Sequence, residues 1–101
     1  MISANMVDAN VYEVVVEGDQ ETTHRVHMSQ EYYRSLCGAT ITHEFVLISA
    51  FRFLLEREPN TAILAEFDVQ DINHYFPEFE KEMKGLTEPL QNQLYEIKDS
   101  I

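Results

Sequence analysis

The chain has 101 residues, 45% of them hydrophobic, with five tyrosines, six phenylalanines and only three glycines. That composition excludes disorder over most of the length, and the length excludes a second independent core. The 18 acidic and 7 basic side chains give a formal net charge of −11, which repels nucleic acid and attracts basic partners.

The single cysteine, Cys37, has no internal disulfide partner and fits a reducing, cytoplasmic setting. Residues 1–9 lack the basic start and apolar run of a signal peptide and carry no predicted element, so they are expected to be flexible. Val11 to Glu17 alternates as a strand, with Tyr12, Val14 and Val16 on one face. Gly18-Asp-Gln-Glu21 supplies turn chemistry, and Thr22 to Met28 reads as a second strand with His24, Val26 and Met28 opposed to Thr23, Arg25 and His27. The pair predicts an antiparallel hairpin whose apolar face must be covered.

Ser29 is a suitable N-cap for a short helix over Gln30 to Cys37, ended by Gly38. Thr42 caps a longer helix running to about Arg57, with Pro59 just beyond its end. Between Phe45 and Leu55 only Ser49 and Arg52 are polar. A helix that is apolar all round is buried on most sides, and the stretch is too short to span a bilayer. The expectation is a homodimer or a protein partner packed on this helix, at Phe45, Ile48, Phe51, Arg52 and Leu55.

Asp68 caps a predicted helix over Val69 to Tyr75, Phe76-Pro77 breaks it, and Glu78 restarts it. Leu64, Phe67, Val69, Ile72, Phe76, Phe79 and Met83 form the layer expected to close the core. Beyond Gly85, Leu90, Leu94, Ile97 and Ile101 mark a last, peripheral helix over the end of 86–101. The fold class is therefore α+β, one domain over 1–101, with an N-terminal antiparallel β-hairpin packed on four to five helices and a central helix at about 42–57.

Charge is uneven along the chain. Residues 1–21 hold five acids and no base, residues 22–57 hold four arginines against three glutamates, and residues 58–101 hold ten acids against three lysines. The acid-rich ends suit a basic protein partner.

No motif supports an enzyme. Cys37 and His43 offer a thiol and a base, but a cysteine beside a helix-ending glycine is more often a small apolar residue. His24 and His27, three apart on a strand, face opposite sides and cannot share a metal. Asp71, His74 and Glu78 share a helical face suited to a divalent ion, though a solvated acidic face is the commoner meaning. No cofactor is expected, since there is no glycine-rich phosphate loop, serine elbow or paired cysteines.

The stretch from Thr22 to Arg57 resembles the ribbon-helix-helix fold of small bacterial repressors and antitoxins. It has a short strand (Thr23 to Met28), a capping Ser29, a short helix, a glycine turn at Gly38 and a capped apolar second helix. The resemblance implies a DNA-binding dimer in which Thr23, Arg25 and His27 face the bases, with the backbone amides near Thr42 and His43 on a phosphate. The main expectation remains a small acidic, non-enzymatic regulatory or adaptor module acting by protein–protein interaction; DNA binding is the alternative.

Overall fold

The computed structural model describes residues 1–38 and 41–85. Four strands, β1 (Ile2–Asp8), β2 (Val11–Val16), β3 (Thr22–His27) and β4 (Glu66–Asp68), form one sheet in the order β1-β2-β3-β4. The first three run antiparallel to their neighbours, and β4 joins β3 in parallel. Between β3 and β4 lie helices α1 (Gln30–Cys37) and α2 (His43–Leu55). After β4 come a 3-10 turn at Val69–Asp71, the short helix α3 (Ile72–Tyr75) and the helical residues 79–85. The class is α+β. Among the described residues no helix is long and apolar enough to cross a membrane. The C-terminal helix expected after Thr87 lies outside the described residues.

The sheet is twice as wide as the hairpin expected from the sequence. Residues 2–8, expected to be flexible, form the edge strand β1 instead. Its inward Ala4 sits opposite Val14 and is buried, which is possible because alanine is small enough for α2 to pack closely over the strand. The register slips by a bulge between Met6 and Asp8. Asn10 then turns the chain in the left-handed region at φ 58°, a conformation asparagine tolerates. Its carbonyl accepts the Met28 amide at 2.9 Å and its Oδ1 accepts the Gln30 side-chain amide at 3.0 Å. One turn residue thus joins the β1–β2 corner to the start of α1.

Alternation decides which face of the sheet is buried. Tyr12, Val14, Val26 and His24 point inward at 2% exposure or less, while Glu13, Thr23 and Arg25 point outward. Side-chain capping fixes both long helices. Ser29 Oγ accepts the Tyr32 amide at 3.1 Å, and Gly38 closes α1 at φ 61°, a left-handed conformation that favours glycine. Thr42 Oγ1 accepts the Phe45 amide at 3.1 Å to start α2. Asp68 Oδ1 accepts the Gln70 amide at 2.9 Å, the cap read from the sequence, although the first turn it starts is 3-10 rather than α.

Most of α2 is buried within its own chain. Val46, Leu47, Ala50 and Phe51 are fully enclosed, Phe51 packing on His24 and Phe67 of the sheet layer. On another side Phe53 meets Phe76 and Phe79 edge-on, with ring centroids 6.0 and 5.1 Å apart. Arg57 fastens that side. Its guanidinium lies 3.5 Å from the Phe53 ring centroid and pairs with Glu78 at 3.1 Å and Glu82 at 3.2 Å. A cation held over an aromatic face gains about 0.5–1 kcal/mol at an exposed site and more where water is excluded, so Arg57 links helix end, aromatic cluster and residues 79–85.

Candidate functional site

The helix that the sequence marks for an interface keeps one stripe outside the core. Phe45 is 48% exposed and Arg52 is exposed, while Ile48 and Leu55 are half-buried against the core. The spacing 45, 48, 52, 55 places these four along one side of a 3.6-residue helix. Phe51 does not belong with them. It adjoins Ile48 and Leu55 around the helix but is 0% exposed and is consumed by the intrachain core, so within one chain it offers no surface to a partner.

Beside this stripe runs a groove of about 500 Å³. Phe45, Ser49, Arg52 and Glu56 supply one wall, Ile41, Phe53 and Met83 the apolar floor, and Glu82 lies opposite. Arg52 makes no ion pair among the described residues. The groove therefore offers an aromatic ring, an available cation and two carboxylates on one surface.

A second, smaller groove lies beside the C-terminal end of α2. Leu54, Ile63, Phe67, Ile72 and Phe76 form its apolar bed, with Glu58 and Asp71 on its margin. Leu64, expected in the closing core layer, is 59% exposed here, and Tyr75 is 68% exposed. A polar pin holds the backbone at Leu64. His24 Nδ1 donates to the Leu64 carbonyl at 2.7 Å, which leaves Nε2 to accept from the Thr22 hydroxyl at 2.9 Å. Asn60 Nδ2 in turn donates to Thr22 Oγ1 at 3.0 Å and to the Gln20 carbonyl at 2.7 Å. The backbone of 60–64 is held by these bonds, so the Leu64 side chain stays outside. The sequence assigns His24 to the inner face but carries no signal for partners so distant in the chain.

Thr23, Arg25 and His27 do share the outer face of the sheet, in acidic surroundings. Arg25 stands between Glu13 of β2 and Glu66 of β4, with its Nε 3.8 Å from Glu66. His27 Nε2 lies 2.8 Å from the same carboxylate. The His27 hydrogen bond holds the Glu66 carboxyl below its ordinary range, with the nearby charges of His27 and Arg25 assisting. Both edges of β3 are occupied, by β2 and β4, whereas a ribbon shared between two chains needs one of them free. At the start of α2, the Phe45 amide is taken by Thr42.

Most of the groups with catalytic or metal-binding chemistry are otherwise engaged. The Cys37 thiol is buried and directed at the Tyr33 carbonyl, 3.2 Å away. His43 stacks on Tyr33 with centroids 3.8 Å apart and gives its Nε2 to Gln30 Oε1 at 2.8 Å. Glu78 is bound by Arg57, and the His74 ring meets Tyr75 edge-on. Among the described residues no group of three His, Cys, Asp or Glu side chains is gathered for a metal ion. No family model, no curated protein and no solved structure matches this chain.

Proposed function

We propose that the protein is a non-enzymatic regulatory or adaptor module that acts by binding another protein, with the α2 stripe pairing two copies of the chain. The half-exposed Phe45 beside the available Arg52, over the floor of Phe53 and Met83, carries this reading. Two copies related by a two-fold axis bring the same surface together. Arg52 and Glu56 lie one turn apart on that surface, so an antiparallel crossing of two α2 helices sets each Arg52 against the partner copy's glutamate at the same position. That exchange matches charge without any basic partner, while each Phe45 ring enters the other copy's groove. A cytoplasmic setting suits the lone, buried Cys37.

The test is solution mass by light scattering over a range of concentrations. A dimer that becomes a monomer on Phe45→Ser and on Arg52→Glu supports the reading; a monomer at every concentration overturns the self-pairing. The DNA-binding alternative draws on Arg25 and His27, both of which contact Glu66. It requires binding to a palindromic duplex that Arg25→Ala abolishes with the fold intact.

A further inference from the structure

We propose that the smaller groove, bounded by the end of α2, the pinned loop and α3, is a docking site for a segment of a second protein in which a large apolar side chain is flanked by arginine or lysine. This surface is distinct from the Phe45 stripe: the two grooves share no lining residue. Its volume of about 310 Å³ is at the lower end of the roughly 300–1,000 Å³ typical of ligand pockets, which suits side chains entering from a segment rather than a whole buried element.

Three observations select that chemistry. The bed is apolar, with Ile63 and Ile72 buried and Phe67 half-buried, and Leu64 and Tyr75 stand at its lips with more than half their surface in water. An exposed leucine can usually fold back over such a bed, but here His24 holds its carbonyl and Asn60 holds the loop before it. The opening is built into the backbone. The margin is acidic: Glu58 and Asp71 line it, neither forms an ion pair, and no cation lines the groove among the described residues. An apolar side chain entering the bed would therefore bring its flanking cations over two available carboxylates. Complementary charge of this kind raises the association rate and fixes the register, while the apolar anchor supplies most of the affinity.

The experiment titrates the full chain into a fluorescein-labelled synthetic peptide of alternating arginine and leucine, read by anisotropy. Two control peptides replace leucine by serine or arginine by glutamate. Saturable binding is expected for the arginine–leucine peptide only, with each control weaker by about tenfold or more. Leu64→Ser should weaken binding by about tenfold, as expected for a central anchor contact. The double variant Glu58→Gln, Asp71→Asn should weaken it comparably at low salt, and Phe45→Ser should leave it unchanged. All three sites are at or near the surface, and circular dichroism confirms that each variant is folded. Equal binding of the arginine–serine peptide, or indifference to Leu64→Ser, would mean a generic acidic surface and overturn the proposal. Absence of binding at millimolar protein overturns it too. Loss of binding on Phe45→Ser moves the occupant to the other groove, and loss of self-association on Leu64→Ser makes a second copy of the chain the occupant.

Discussion

His24 is a histidine used for both of its ring nitrogens. Buried to 2% exposure, it donates from Nδ1 and accepts at Nε2, a division of roles that only one neutral tautomer provides. Replacing it with leucine keeps an apolar contact with Phe51 but removes both hydrogen bonds, leaving Thr22 Oγ1 to Asn60 alone. His24→Leu should lower stability by about 1–3 kcal/mol, the loss of two hydrogen bonds at about 0.5–1.5 kcal/mol each, measured by urea denaturation. Tyr12 is the opposite case. Its hydroxyl is buried with no partner of good hydrogen-bond geometry; the Gln30 side chain lies close enough to favour the ionised ring, yet burial outweighs it and pushes the hydroxyl's pKa up. Tyr12→Phe should be neutral or stabilising by up to about 1 kcal/mol, and a clear loss of stability would mean that Gln30 bonds the hydroxyl in solution. Glu66 and Glu78 set the acid limit. The first is held below the ordinary carboxylate value of 4.5 chiefly by His27, the second chiefly by its own backbone amide, with Arg57 next. Each favours folding above that value, and its contribution is lost as pH falls through the ordinary value toward the lowered one. The urea midpoint should therefore drop on acidification below about pH 4.5, with a shallower drop in Glu66→Gln. Which face His24 occupies is legible in the sequence, because alternation sets it. Its partner at Leu64 is not, because that contact exists only once β4 has docked.

At the level of elements, local chemistry was the legible part. Ser29, Thr42 and Asp68 each take the backbone amide expected of a cap, and Gly38 takes the left-handed turn. Gly38→Ala should cost about 1 kcal/mol in thermal or urea unfolding, because a side chain there strains the backbone; an unchanged midpoint would mean that α1 frays before Gly38 matters. The two outer strands, β1 and β4, depend chiefly on their neighbours. β1 reads Ile-Ser-Ala-Asn-Met-Val-Asp: Ile2, Ala4 and Met6 alternate with Ser3 and Asn5, but serine, alanine and asparagine are poor strand formers, and the segment becomes a strand because β2 offers an edge and α2 a roof. β4 has three residues, and its amides and carbonyls find partners only across the parallel junction with β3. The apolar belt of α2 was legible as buried, but what buries it was not. The chain's own sheet and the Phe76–Phe79 cluster cover most of the belt, which leaves Phe45 and Arg52 for other work.

For the whole molecule, charge and apolar surface oppose one another. Two copies that each carry −11 repel, while the Phe45 grooves attract at short range. Raising ionic strength from about 0.05 to 0.5 M shortens the reach of the repulsion severalfold, so the dimer fraction measured by light scattering should rise with salt. An arginine–leucine peptide in the smaller groove should show the reverse, since its cations are drawn by the same charge that added salt screens. Opposite salt dependences for self-pairing and peptide capture would separate the two surfaces in one set of titrations. Neither groove was legible as a groove. The sequence marks Phe45 and Arg52 but gives no hint that Leu64 is held open, because that depends on a histidine, a threonine and an asparagine meeting across the fold.

The parallel junction of β3 with β4 also has a consequence for the order of assembly. The first three strands are neighbours in sequence and can zip together early, whereas β4 must wait until both helices enclosed between β3 and β4 have been laid down, a loop closure whose entropy is repaid late. Last in is then first out: a substitution such as Phe67→Ala should speed unfolding in stopped-flow experiments while scarcely slowing refolding. The strand that leaves first carries one side of the smaller groove, so a segment docked there would act as a latch, its whole equilibrium stabilisation appearing as a longer lifetime of the folded chain.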